Sequence, residues 1–188
     1  ANTVGAPIAG ATPGEGGLNA GQMLSGGLKA AVLLGVEPAF DTAAGAAAEQ
    51  AFAQAEMVVT LSPFKTNLEL SDVLLPIAPF SETSGSFVNA EGRLQGFHAV
   101  VRPLGETRPA WKVLRVLSNL MDLPGFDFET SQDVLAHATG AAAGEVGQVP
   151  AALLSNASQA MPVSLAPAAG AAPVVASIYQ LDGLVRRA

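Results

Sequence analysis

Apolar positions fall in short continuous runs broken by small and polar residues, and the lengths of those runs set the expected architecture. Residues 28–35 form an apolar run closed by Gly35, the pattern of a strand covered on both faces in a parallel sheet. Asp41 is then placed to cap an Ala-rich helix that reaches about residue 55. Residues 57–61 form a second buried run ended by Ser62 and Pro63, residues 65–70 suit a short helix or turn, and residues 73–75 supply a third strand stopped by Pro76 and Pro79. Strand, helix, strand, short helix, strand is the β-α-β order. It predicts an α/β fold with an open, mostly parallel sheet and flanking helices.

Further on, the period changes. Residues 94–102 read as an extended arm. Pro109 then opens a helix with Ala110, Val113, Leu114, Leu117, Leu120 and Met121 at spacings of three and four, and Lys112, Arg115 and Asn119 fall on the opposite face. Pro124 and Gly125 end it, and residues 131–138 suit a second, shorter helix. Four regions follow: a Gly/Ala/Pro-rich opening segment over 1–27, the α/β region over 28–138, an Ala/Gly/Pro-rich, low-complexity linker over 139–173 whose one charge is Glu145, and a C-terminal docking segment over 174–188. In that last segment Ile178, Tyr179, Leu181, Leu184 and Val185 precede Arg186 and Arg187, an amphipathic end expected to dock on another part of a larger protein.

Composition narrows the chemistry. The 188 residues suffice for a packed core, and the absence of Cys excludes disulfides, thiolate metal sites, iron–sulfur ligation and Cys nucleophiles from this chain. A net charge of −7 argues against nucleic acid as a partner, because that affinity comes from Lys and Arg on phosphates. No apolar stretch of ~18 residues runs unbroken, so no membrane span is expected. Residue 1 is Ala, with no basic and apolar leader behind it, and reads as a cut inside a longer protein.

Residues 14–19 resemble half of a phosphate-binding glycine fingerprint, but Asn19 stands at the third glycine position and no strand precedes it, so an irregular loop is the expectation. His98 and His137 lie in no metal-binding spacing. Without a Gly-x-Ser-x-Gly elbow, the hydroxyls between Ser81 and Ser86 are expected to bond local backbone. The richest polar stretch joins the third strand to the arm, where Glu82, Thr83, Ser84, Asn89, Glu91 and Arg93 gather around Gly85 and Gly92. Glu82 and Glu91 can be read as an acid/base pair. The favoured reading is structural: Glu91 paired with Arg93 or bonded to backbone amides, and Glu82 bonded to backbone. No catalytic, cofactor-binding or metal-ligating residue is expected here.

Those residues also carry a resemblance. Residues 72–76 followed by 82–95 place Asp72, Pro76, Glu82, Gly85, Asn89, Glu91, Gly92, Arg93 and Gln95 as in the signature of molybdopterin oxidoreductases, with Ser86 where the family more often has Thr. Within that superfamily, residues 61–66, 102–115 and 178–187 look most like the large iron–sulfur subunit of bacterial respiratory complex I, the NADH:quinone oxidoreductase. The resemblance implies a supporting section of a subunit that passes electrons from NADH to quinone, coupled to proton pumping. It implies other subunits of the peripheral arm and the remainder of the parent subunit as partners, on the cytoplasmic side of the inner membrane. It places iron–sulfur clusters in an N-terminal part of the parent and no cofactor in this segment. Two further readings stay open. One is a fragment of an active, formate dehydrogenase-like molybdopterin enzyme whose polar loop touches the pterin; the other is a stand-alone nucleotide-binding module.

Overall fold

The computed structural model describes residues 2, 4–140 and 177–188, so the linker expected over 139–173 lies almost wholly outside the described residues. The apolar runs form three strands, β1 (Ala30–Leu34), β2 (Met57–Ser62) and β3 (Val73–Pro76). All pair in parallel, in the order β1-β2-β3, so β2 is hydrogen-bonded on both edges. The opening segment makes two one-turn helices, α1 (Gly5–Ile8) and α2 (Ala20–Met23); α3 (Pro38–Asp41) and α4 (Ala46–Ala53) connect β1 to β2. Beyond the sheet come a two-stranded antiparallel hairpin of β4 (Gly85–Val88) and β5 (Leu94–Phe97), then α5 (Ala110–Leu120) and α6 (Ser131–Thr139). The α/β class, the parallel sheet and the flanking helices match the sequence expectation.

The core lies on one face of the sheet. Leu33 of β1, Val58 of β2 and Phe52 of α4 are buried together, with Leu24, Leu28, Ala31, Ala55 and Leu70 packed around them. Among the described residues the opposite face is only partly covered, contrary to the pattern of strands covered on both sides: Leu61 is fully buried there, but its neighbours are not. There Val32 is 54% exposed, Met57 49%, Leu34 43% and Val73 38%. Among the described residues its carboxyl-terminal end has a neighbour, where Leu75 and the α5 residues Val113, Val116, Leu117 and Leu120 line an apolar groove. A run of apolar residues states that a strand has two apolar faces; it does not supply the second cover.

Polar groups clamp β3 to β2. Asp72 donates its N–H to the Val58 carbonyl at 2.9 Å and accepts the Val58 N–H on Oδ2 at 2.7 Å. Thr60, with no exposed surface, has its hydroxyl 2.7 Å from that of Ser71, and Asn67 donates to the Val36 carbonyl at 2.8 Å. Residues 65–70 thus form a turn held to β2 by side chains, consistent with the short helix or turn expected there.

Two further expectations are corrected. Asp41 does not cap the Ala-rich helix: it is the last residue of α3, and its carboxylate accepts the Glu37 N–H at 2.7 Å, while Gly45 precedes α4. Pro38, well suited to a first helical turn, starts a helix earlier than the Ala run does. The polar stretch after β3 is not one loop, because its second half pairs with the extended arm as β4 and β5. The C-terminal segment meets Glu37, Phe40, Asp41 and Phe64, in the segments that follow β1 and β2. The glycine-rich start closes on itself as a loop: Gly17 donates to the Gly14 carbonyl, and Asn19 and Gln22 exchange side-chain bonds with each other's N–H groups in a capping box at α2. The residue that breaks the fingerprint is a helix cap.

Phe52→Ala is expected to lower unfolding free energy by about 3 kcal/mol or more, as for other large-to-small changes at the centre of a core. Urea denaturation followed by far-UV circular dichroism checks it; a change under ~1 kcal/mol would place the core elsewhere.

Candidate functional site

Parallel strands bring their carboxyl ends to one edge, where open α/β sheets receive ligands. Beyond Leu34, Ser62 and Pro76 lies a crevice of about 440 Å³ whose walls include Val36, Glu37, Asp41, Phe64, Phe80 and Leu184. Its outer wall is the chain's own end, in which two 3-10 turns, Ile178–Gln180 and Val185–Arg187, flank Gly183.

Two guanidinium groups hold that end in place. Arg186 reaches Glu37 Oε1 at 3.1 Å and Asp41 Oδ1 at 3.1 Å, and stacks over the Phe40 ring with 4.8 Å to its centroid. Arg187 grips both oxygens of Glu37 at 2.9 Å and lies 4.3 Å from the centre of the Phe64 ring. The side chains of Arg186 and Glu37 are only 8% and 11% exposed, so this is not an ordinary surface pair. Burial pushes the Glu37 carboxyl up, but the bonds from Arg187, Thr66 and Arg186 outweigh it and hold it below the usual 4.5. Burial likewise lowers Arg186, and the two carboxylates more than restore it, leaving it above its ordinary value. The result is a charge-balanced cluster of two carboxylates and two guanidiniums. Its carboxylates are already taken up by the chain's own guanidiniums.

The signature residues are gathered by backbone geometry at the other side of the sheet. Asp72 opens β3 and Pro76 closes it, opposite Ser62. Glu82, in a 3-10 turn, accepts the Leu104 N–H at 2.9 Å, which ties down the segment after β5. Ser84 accepts the Ala99 N–H at 3.3 Å, so its hydroxyl serves a segment distant in sequence and not the local backbone expected of it. Asn89 organises the hairpin turn: its Oδ1 accepts the N–H groups of Glu91 at 3.0 Å and Arg93 at 2.8 Å, and its carbonyl accepts that of Gly92. Gly92 has a φ of 79°, the left-handed conformation that closes the turn into β5. At Gly85 a Cβ would stand 2.7 Å from the Phe97 ring, which stacks on Phe87 with 5.1 Å between centroids. Gly85 leaves room for that aromatic pair.

Glu91, Arg93 and Gln95 are exposed, and among the described residues Glu91 and Arg93 form no ion pair. The expected pairing is replaced by Asn89, whose one oxygen holds both of their amides. The groups sequence reasoning missed are Glu37, Asp41, Phe40 and Phe64, which meet Arg186 and Arg187 across most of the chain, a separation that no local spacing rule spans. Among the described residues no group of His, Asp or Glu side chains is arranged to hold a metal ion, and no helix is long and apolar enough to cross a membrane.

A family profile described as Molybdopterin oxidoreductase matches residues 1–120, which hold the sheet, the hairpin and α5. A Staphylococcus aureus (strain bovine RF122 / ET3-1) protein provisionally named a formate dehydrogenase is 35% identical over 81 residues, 43% of this chain and 8% of that protein. Counterparts under the same provisional name from S. aureus strains USA300 and N315 are 33% identical over 81 residues, with the same coverage. The chain spans 8% of the length of these curated relatives.

Two outcomes check this geometry. Asn89→Ala leaves two turn amides without their acceptor and is expected to cost about 1–2 kcal/mol, whereas Arg93→Ala is expected to stay within ~0.5 kcal/mol, both by chemical denaturation. Acid should free the C-terminal segment. A carboxylate whose pKa falls on folding adds stability above its unfolded pKa and loses it as pH drops through the folded value. Protection of the Arg186 and Arg187 amides in hydrogen exchange, corrected for intrinsic rates, is therefore expected to persist at neutral pH and to vanish below pH 4.5, the usual value from which Glu37 is lowered. Arg186 remains charged throughout that range.

Proposed function

This chain belongs to the molybdopterin oxidoreductase family, and from that premise we propose that it is a supporting section of a formate dehydrogenase-like, molybdopterin-dependent oxidoreductase. The observation that carries the reading is the family match over residues 1–120, a run that contains the whole parallel sheet and the signature hairpin. The apolar face that the described residues leave partly uncovered adds support, because a parallel sheet with one incomplete face suits a section of a larger body.

The residues of the carboxyl-edge crevice do not fit a dinucleotide form of the pterin. Glu37 and Asp41 line the crevice, and Arg186, the basic group on its wall, is already engaged by both of them. Phosphates brought there would meet carboxylates and have to displace the chain's own end. On this reading the section shapes and supports the parent enzyme, and the cofactor is held by other parts of it.

A second reading has one observation in its favour. A carboxyl edge closed from within also suits the purely architectural role expected of the large iron–sulfur subunit of complex I, beside the other subunits of the peripheral arm. The two readings separate in the native full-length protein. Formate dehydrogenase-like function is expected to give molybdenum by elemental analysis, an extractable pterin, and formate-dependent reduction of a viologen dye. Purification instead within a multisubunit assembly that lacks molybdenum and pterin and reduces quinone with NADH would overturn the first reading in favour of the second.

A further inference from the structure

We propose that Glu37, Phe40, Asp41 and Phe64 form a peptide-binding cradle selective for a paired-arginine segment, filled here by Arg186 and Arg187, and that its filling gives the carboxyl-edge crevice its outer wall. The cradle is independent of which oxidoreductase the parent is. It has two matched halves. In one, the Arg186 guanidinium bridges Glu37 and Asp41 and lies on Phe40. In the other, Arg187 forks onto Glu37 and lies on Phe64. Each guanidinium thus receives carboxylate oxygens at its edge and an aromatic ring on its face, the two contacts that distinguish Arg from Lys.

The segment is shaped to meet that cradle. Arg186 donates to the Gln180 carbonyl and Arg187 to that of Gly183, so both side chains are folded back along their own backbone. Asp182 accepts the N–H groups of Leu184 and Val185 on Oδ1, which fixes the turn between Gly183 and the arginines. Leu181 and Leu184 line the same crevice and give the docking an apolar component. Cradle and segment are thus complementary in charge, ring placement and apolar surface.

Because the segment is covalently attached, it competes with any free peptide at an effective concentration of about 1 mM. The test uses the full chain, wild type and Arg186→Ala/Arg187→Ala, with a fluorescent synthetic peptide of residues 177–188 followed by anisotropy. The double variant is expected to bind the peptide, and the wild type about tenfold more weakly. The same peptide with Lys at both arginine positions should lose most of its affinity for the variant. A variant that retains its circular dichroism spectrum yet binds the peptide no better than wild type does would overturn the proposal, as would equal binding of the Lys peptide. Should the variant fail to fold, hydrogen exchange on the wild type decides. Amides 184–187 are expected to be protected at neutral pH and, after correction for intrinsic rates, to exchange about tenfold faster once acid below pH 4.5 protonates Glu37. Exchange at the free-peptide rate under both conditions would mean that the cradle holds nothing.

Discussion

The structure depends on the double pairing of β2. A central parallel strand must satisfy hydrogen bonds on both edges, and β2 does so only when β1 and β3 lie beside it in one register, Val32 opposite Val59 and Val59 opposite Val73. Each neighbour needs a crossover, so α3 and α4 must lie between β1 and β2, and the Asn67 turn between β2 and β3. Polar residues fix that turn from inside: Thr60, Asn67, Ser71 and Asp72 bond to one another or to strand backbone. Once this register is set, the three carboxyl ends share an edge. The crevice, Glu37 and Phe64 then occupy positions that no other pairing would give them.

Seen in this light, the long polar signature is mainly a set of instructions for the backbone. Asp72 starts β3 by gripping Val58, Glu82 fastens Leu104, Asn89 closes the hairpin turn, and Gly85 makes room for Phe97. These roles demand a particular side chain at a particular position without asking it to touch a substrate. Glu91, Arg93 and Gln95 differ, since their side chains make no hydrogen bond among the described residues and stand exposed at the hairpin. If the signature has contacts outside this section, these three are the residues free to make them.

How far the sequence could be read follows from how local each cause was. The three strands were legible because continuous apolar runs ended by Gly or Pro have few alternatives, and α5 because its stripe keeps a helical period. Thr130, Asp133 and Gly140 bound α6 with a capping box and a left-handed glycine, all local chemistry. The hairpin was hidden because its strands are four residues each and contain Gly85 and Gly96, poor strand formers. What pairs them is a turn built by Asn89 and a diagonal Phe87–Phe97 contact, neither visible as alternation. Asp41 misled because an acidic residue before an Ala run looks the same whether it caps that run or turns back to Glu37. The arginine cradle was out of reach altogether, since Glu37, Phe40, Asp41 and Phe64 lie far along the chain from the arginines that fill it.

The same sheet meets two different solutions at its exposed surfaces. Its carboxyl edge would present two carboxylates and two aromatic rings, a surface that attracts cations in a chain whose net charge is −7. The chain answers that demand itself, with the two arginines of its last residues. Its open face makes no such offer: Val32, Leu34, Met57 and Val73 are apolar, carry no charge to steer a partner, and gain only by being covered. An ionic edge can be closed by a segment that docks and releases, because protonating its carboxylates weakens the attraction. An apolar face calls for a permanent cover, which the described residues do not supply. The division is therefore physical: the edge carries carboxylates met by guanidiniums of this same chain, and the face is apolar surface that the described residues leave partly uncovered.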